Sequence, residues 1–90
     1  MPESEKIRVL IVDDHAIVRR GLRGLLEVVD DIEVVGDAAD GELAVGLAEA
    51  RAPDVILMDL VMPVKDGIAA IREIKARHPQ IEIVALTSFI

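Results

Sequence analysis

An unbroken apolar run, Val55-Ile56-Leu57-Met58, ends in a carboxylate, Asp59, and a few residues on meets Pro63, Asp66 and Gly67, which force a loop. A run without alternation suits a strand covered on both faces, as in a parallel sheet between helix layers. In open α/β sheets the carboxyl ends of the strands form the rim where ligands bind. A charge at the end of a buried strand marks Asp59 as the first candidate for chemistry.

The rest of the chain repeats that design. Ile7-Arg8-Val9-Leu10-Ile11-Val12 reads as a buried strand and ends in Asp13-Asp14. Ile17, Val18, Leu22, Leu25, Leu26 and Val29 then recur at helical spacing. Arg19, Arg20 and Arg23 fall between them and are expected to face water. Gly21 and Gly24 each weaken this helix by roughly 1 kcal/mol relative to Ala, which points to sites of close packing. Residues 32–38 alternate loosely, as a half-exposed edge strand does. Asp40 is positioned to cap a second helix, with Glu42 in its first turn and Leu43, Leu47 and the surrounding alanines on its apolar side. Ala52-Pro53 ends it, because the residue before proline disfavours the helical region. Asp66-Gly67 opens a third helix, with Ile68, Ile71 and Ile74 inward and Arg72, Glu73 and Lys75 outward. His78-Pro79 stops it, and a fourth strand, residues 81–86, runs into Thr87-Ser88. Strand and helix alternate throughout. That predicts one α/β domain over residues 1–90, with a parallel sheet between helices.

Composition excludes several classes. Seventeen acidic against ten basic residues give a net charge of −7, which argues against nucleic-acid binding by this segment. Phe89 is the one aromatic residue, so base stacking has no platform. The chain has no cysteine, hence no disulfide or thiolate metal site, in keeping with a cytosolic setting. No apolar run approaches the length of a membrane span, and the polar, acidic start Pro2-Glu3-Ser4-Glu5 is unlike a signal peptide.

Three strands thus end in polar groups on one rim: Asp13-Asp14, Asp59 and Thr87-Ser88. In a flavodoxin-like strand order, 2-1-3-4, the first and third strands are neighbours at the switch point. Adjacent strands lie about 4.8 Å apart, so Asp13, Asp14 and Asp59 would crowd one pocket. Carboxylates that close repel unless a cation neutralises them. Oxygen ligands without Cys favour a hard ion, and Mg²⁺ suits a few carboxylates, several waters and a phosphate oxygen. Taken singly, Asp14 reads as a helix cap, and Asp59 and Asp66 as loop residues. The acidic positions and the Thr-Ser pair on successive strand ends outweigh that reading.

With these residues in place, the chain resembles the receiver domains of bacterial response regulators. The resemblance rests on Asp13-Asp14, on Asp59 through Gly67 with Met62-Pro63, and on Leu86-Thr87-Ser88. Asp13-Asp14-His15 followed by Val18-Arg19-Arg20-Gly21-Leu22 is closest to the NarL/FixJ-type subfamily, in which a receiver precedes a LuxR-type DNA-binding domain. The resemblance implies a CheY-like fold and a phosphorylation switch in a two-component pathway, in the cytoplasm, with a sensor histidine kinase as partner. It implies Asp59 as phosphoacceptor, and Mg²⁺ held by Asp13, Asp14, Asp59 and the backbone carbonyl of Val61. It implies that the Thr87 hydroxyl turns to the phosphoryl group. Val61 and Phe89 flank the expected pocket and would slow attack by water. His15 reads as a partly exposed subfamily marker, and His78 as structural at a helix end.

Against the family pattern, the last α-β-α part is missing, and with it the lysine that contacts the phosphoryl group; Lys65 lies in the wrong loop to replace it. No output domain is present. The fourth strand is then expected to be an open edge prone to self-association, and part of the first helix's apolar side to lie uncovered. Two other readings compete. A phosphatase of the haloacid-dehalogenase type, working through an aspartyl-phosphate, would carry a second Asp where Val61 stands. A non-phosphorylated interaction module would keep the acidic pocket without its use.

Overall fold

The computed structural model of the chain describes residues 5–59 and 67–86. In order it runs β1 (Ile7–Val12), α1 (Ala16–Glu27), β2 (Ile32–Ala38), α2 (Gly41–Arg51), β3 (Val55–Asp59), α3 (Gly67–Arg77) and β4 (Glu82–Leu86). The strands form one sheet in the order β2-β1-β3-β4, and every pairing is parallel. This is the expected order. The direction of winding reverses after β2, so right-handed crossovers put α1 on one face and α2 and α3 on the other.

The continuous apolar strands reflect that double cover. Leu10 and Val12 of β1 and Ile56 and Met58 of β3 join Ala44 and Ala48 of α2 and Ala70 and Ile74 of α3 in one core. Side chains alternate along a strand, so Val9 and Ile11, also buried, serve the opposite face. Each such aliphatic side chain contributes about 1.5–3 kcal/mol on burial.

On two helices one residue expected on the apolar side is exposed instead. On α2 the buried residues are Gly41, Ala44 and Ala48, while Leu43 is exposed. On α3 they are Gly67, Ala70 and Ile74, while Ile68 is exposed. In both, small residues lie against the sheet and let the helix axis approach it. Leu47 and Ile71 pack on the core's margin. Asp40 caps α2 as expected, accepting from Leu43 N at 2.8 Å. The helix ends at Ala52, whose φ of 46° is left-handed and turns the chain into Pro53.

On α1 no residue is buried, and Ile17 and Leu25 are largely exposed. The expectation of an uncovered apolar side matches this. Close packing at Gly21 and Gly24 does not: a Cβ at either would meet nothing within 4 Å. Among the described residues no helix is long and apolar enough to cross a membrane.

Candidate metal centre

Strand register sets the centre. Val12 pairs with Met58, so the next residue of each strand, Asp13 and Asp59, comes level at the carboxyl rim. Both are buried, at 4% and 2% exposure, in a core otherwise apolar. Buried carboxylates this close persist only with compensation, since desolvating an unpaired charge costs several kcal/mol.

Part of the compensation is local. The amide of Asp13 donates to Ala38 O at 3.0 Å, prolonging the β1–β2 ladder by one step. Asp13 Oδ1 accepts the amide of His15 at 2.7 Å and faces the ring Nδ1 of His15 at 2.9 Å. Arg19 donates from Nη1 to the backbone carbonyl of Asp13 at 2.8 Å and from Nε to Asp37 Oδ1 at 3.3 Å. Arg23 pairs with Asp37 as well. The end of β1 is therefore tied through α1 to the end of β2.

Asp14 is half-buried, and its Oδ1 lies 3.0 Å from His15 Nδ1 without hydrogen-bond geometry. It does not cap α1. The cap position is His15, which makes no side-chain capping bond. The hydrogen bond to Asp13, followed by the negative charge of Asp14, raises the pKa of His15 above its ordinary value of 6.5.

One oxygen from each of Asp13, Asp14 and Asp59, together with a His15 ring nitrogen, lie within 4.8 Å of one another. That span matches the coordination sphere of a single divalent ion, roughly 4–5 Å across between opposite ligands. A predominantly oxygen donor set with three acidic groups fits a hard cation such as Mg²⁺.

The expected Asp13, Asp14 and Asp59 thus meet in one pocket. Val61, Lys65, Asp66, Thr87, Ser88 and Phe89 lie outside the described residues, so those expectations are neither met nor refused. Three residues do more than the sequence suggested. His15 is partly exposed as expected, with 60% of its side chain open, yet its ring lies against both carboxylates. Arg19 and Arg23 do not simply face water, because Asp37 draws them across β2. Of the three, Arg20 alone is exposed. The signal for His15 was its place two residues after a buried strand-end Asp.

Comparison with known proteins agrees with this architecture. Residues 9–90 match the family model described as response regulator receiver domain. The transcriptional regulatory protein LiaR of Bacillus subtilis is 54% identical over 84 residues, which are 93% of this chain and 40% of that protein. The response regulator domain of Thermotoga maritima CheB superposes with a TM-score of 0.88 at 41% identity, over 92% of this chain and 61% of that one. A LuxR-family two-component response regulator from Aurantimonas sp. SI85-9A1 gives 0.88 at 38% identity, over 94% and 61%. The chain spans about two fifths of the length of the curated relatives it matches. A parallel sheet in the order β2-β1-β3-β4, an acidic rim where β1 and β3 end, and a family match over residues 9–90 converge: the chain belongs to the response regulator receiver domain family.

Proposed function

We propose that this chain is the phosphoacceptor module of a two-component response regulator. In this reading Asp59 receives a phosphoryl group from the phosphohistidine of a sensor histidine kinase. The N–P bond breaks, an O–P bond forms to an Asp59 carboxylate oxygen, and the imidazole leaves with the electron pair. The observation that carries the proposal is the meeting of Asp13, Asp14 and Asp59 within 4.8 Å.

Asp13, Asp14, Asp59 and the backbone carbonyl of Val61 would hold Mg²⁺. When bound, the ion offsets negative charge on the phosphoryl oxygens, the chief requirement of phosphoryl transfer. The chain's own residues do the positioning. Burial at the end of β3 holds Asp59 at the rim, and its 2% exposure limits access of bulk water. The His15 amide and the Arg19 guanidinium fix Asp13 beside it. Thr87 would then donate its hydroxyl to a phosphoryl oxygen, which makes it the switch residue. Catalysis is confined to the chain's own phosphorylation and dephosphorylation.

In a longer protein the switch would govern a DNA-binding output domain. LiaR's designation as a transcriptional regulatory protein supports this. A net charge of −7 assigns nucleic-acid contact to such a domain and not to this segment. The same reading implies the cytoplasm, which a chain without cysteine suits.

The test is incubation with acetyl phosphate and Mg²⁺, read by intact mass beside Asp59→Asn. A gain of one phosphoryl group in the unaltered chain and none in the variant is expected. No gain, or a gain that survives Asp59→Asn, overturns the proposal.

A further inference from the structure

A pair of charges outside the acidic centre reaches into its backbone. Arg19 stands on the first turn of α1, where its amide donates to His15 O at 2.9 Å. Its guanidinium joins two strands. Nη1 donates to the backbone carbonyl of Asp13 at 2.8 Å, and Nε donates to Asp37 Oδ1 at 3.3 Å. Arg23, one turn on, holds the other oxygen of Asp37. Asp37 lies on β2 beside Ala38, whose carbonyl accepts the Asp13 amide. Both backbone groups of Asp13 are thus anchored to β2, one directly and one through Arg19.

The anchored carbonyl belongs to the peptide that joins Asp13 to Asp14. That unit is planar, so fixing its oxygen orients the Cα atoms of both residues. The two residues carry two of the three carboxylates that meet within 4.8 Å. Asp14 Oδ1 is shielded from water and makes no hydrogen bond among the described residues, so its aim depends on the backbone beneath it. Arg19 is itself only 20% exposed, which limits competition from water for its bonds.

We propose that Asp37 is a positioning residue of this centre: acting through Arg19, it holds the Asp13–Asp14 peptide at the tilt that the compact shell of Mg²⁺ requires. The inference rests on the reading of Asp13, Asp14 and Asp59 as ligands of that ion. Mg²⁺ demands near-ideal octahedral geometry with bonds of about 2.0–2.1 Å, whereas Ca²⁺ takes about 2.3–2.6 Å and irregular shells. Loosening the peptide therefore weakens Mg²⁺ more than Ca²⁺. A charge acting at a distance does not discriminate between two divalent ions, and loss of the Arg19 cation by that route would strengthen both.

Mg²⁺ and Ca²⁺ are titrated separately into the unaltered chain, Arg19→Ala, Asp37→Asn and the double variant. Amide NMR shifts report binding and check the fold. Arg19→Ala should weaken Mg²⁺ on the order of tenfold, the usual effect of losing an outer partner of a ligand, and Ca²⁺ by clearly less. Asp37→Asn keeps the side chain's shape and should move the Mg²⁺-to-Ca²⁺ affinity ratio the same way. The double variant should go no further than Arg19→Ala alone, as expected of residues acting in series. If Arg19→Ala does not fold, the ratio in Asp37→Asn decides by itself. Tighter binding of both ions by Arg19→Ala, an unchanged ratio in Asp37→Asn, or additive effects in the double variant overturn the inference. Mg²⁺ binding that Asp59→Asn weakens but these variants do not overturns it alone and leaves the ligand reading intact. No saturable binding of either ion to the unaltered chain overturns both.

Discussion

Asp13 Oδ1 is approached by two donors from one residue, the amide and the ring of His15, at 2.7 and 2.9 Å. The arrangement draws a positive charge toward the pocket and holds the imidazole proton above its ordinary affinity. The hydrogen bond to Asp13 is the larger cause and the charge of Asp14 the next. In the unfolded chain this histidine titrates near 6.5. Its contribution to stability is therefore complete below about 6.5 and is lost as the pH rises through the higher folded value. A proton NMR titration of the ring in cation-free buffer should give a midpoint above 6.5, and Asp13→Asn should bring it down toward the ordinary value. A midpoint at or below 6.5 in the unaltered chain would refute the contact. At this scale the acidic residues were legible together, since carboxylates ending successive apolar runs on one rim outweigh the cap or loop role each would have alone. The partners of those residues were not. Beyond the place of His15 two residues after a strand-end Asp, nothing in the sequence says that its ring folds back, or that the Arg19 guanidinium spans from Asp13 to Asp37.

Helix α1 shows how an element can be legible in kind and misleading in detail. Its apolar residues recur at helical spacing, and the helix forms over Ala16–Glu27. Its glycines suggested close approach, yet space beside both is open. They then carry only the entropic cost of glycine within a helix. Gly21→Ala and Gly24→Ala should each stabilise the fold by about 0.5–1 kcal/mol, seen as a higher urea midpoint at unchanged slope. A lower midpoint would show that these positions are packed after all. The helical phase of α2 and α3 was ambiguous for a related reason. Leu43 and Leu47 share a spacing with Ala44 and Ala48, so periodicity alone allows either pair to face the sheet. Packing decides it. The alanines lie in the core, and Leu47 reaches the sheet only at its margin, near Gly36 and Leu10. Volume complementarity across layers is a property of the assembled sheet and is not written in one helix.

For the whole molecule, the parallel sheet followed from the alternation of elements, and a flavodoxin-like strand order then placed the acidic residues on one rim. Parallel register then brings Asp13 and Asp59 level, so fold and site were read together from four apolar runs and what ends them. The surface of this 90-residue chain adds a further consequence. β4 pairs with β3 along one side, and among the described residues no strand pairs along its other side. Val84 and Ala85 are exposed there, beside half-buried Ile83 and Leu86. A short apolar strand with unpaired amides and carbonyls is a template for a second strand. We therefore expect the chain to self-associate as its concentration rises, by pairing of β4 with another copy. Sedimentation velocity would register a growing mean mass. A lysine on the edge strand opposes such pairing, so Val84→Lys should return the chain toward the monomer. The exposed apolar side of α1 is the other sticky surface, with Leu25 at 68% exposure, and Leu25→Lys serves as the control. If Leu25→Lys dissociates the assembly and Val84→Lys does not, helix packing and not strand pairing holds it. A concentration-independent monomer in the unaltered chain would remove the edge from consideration altogether.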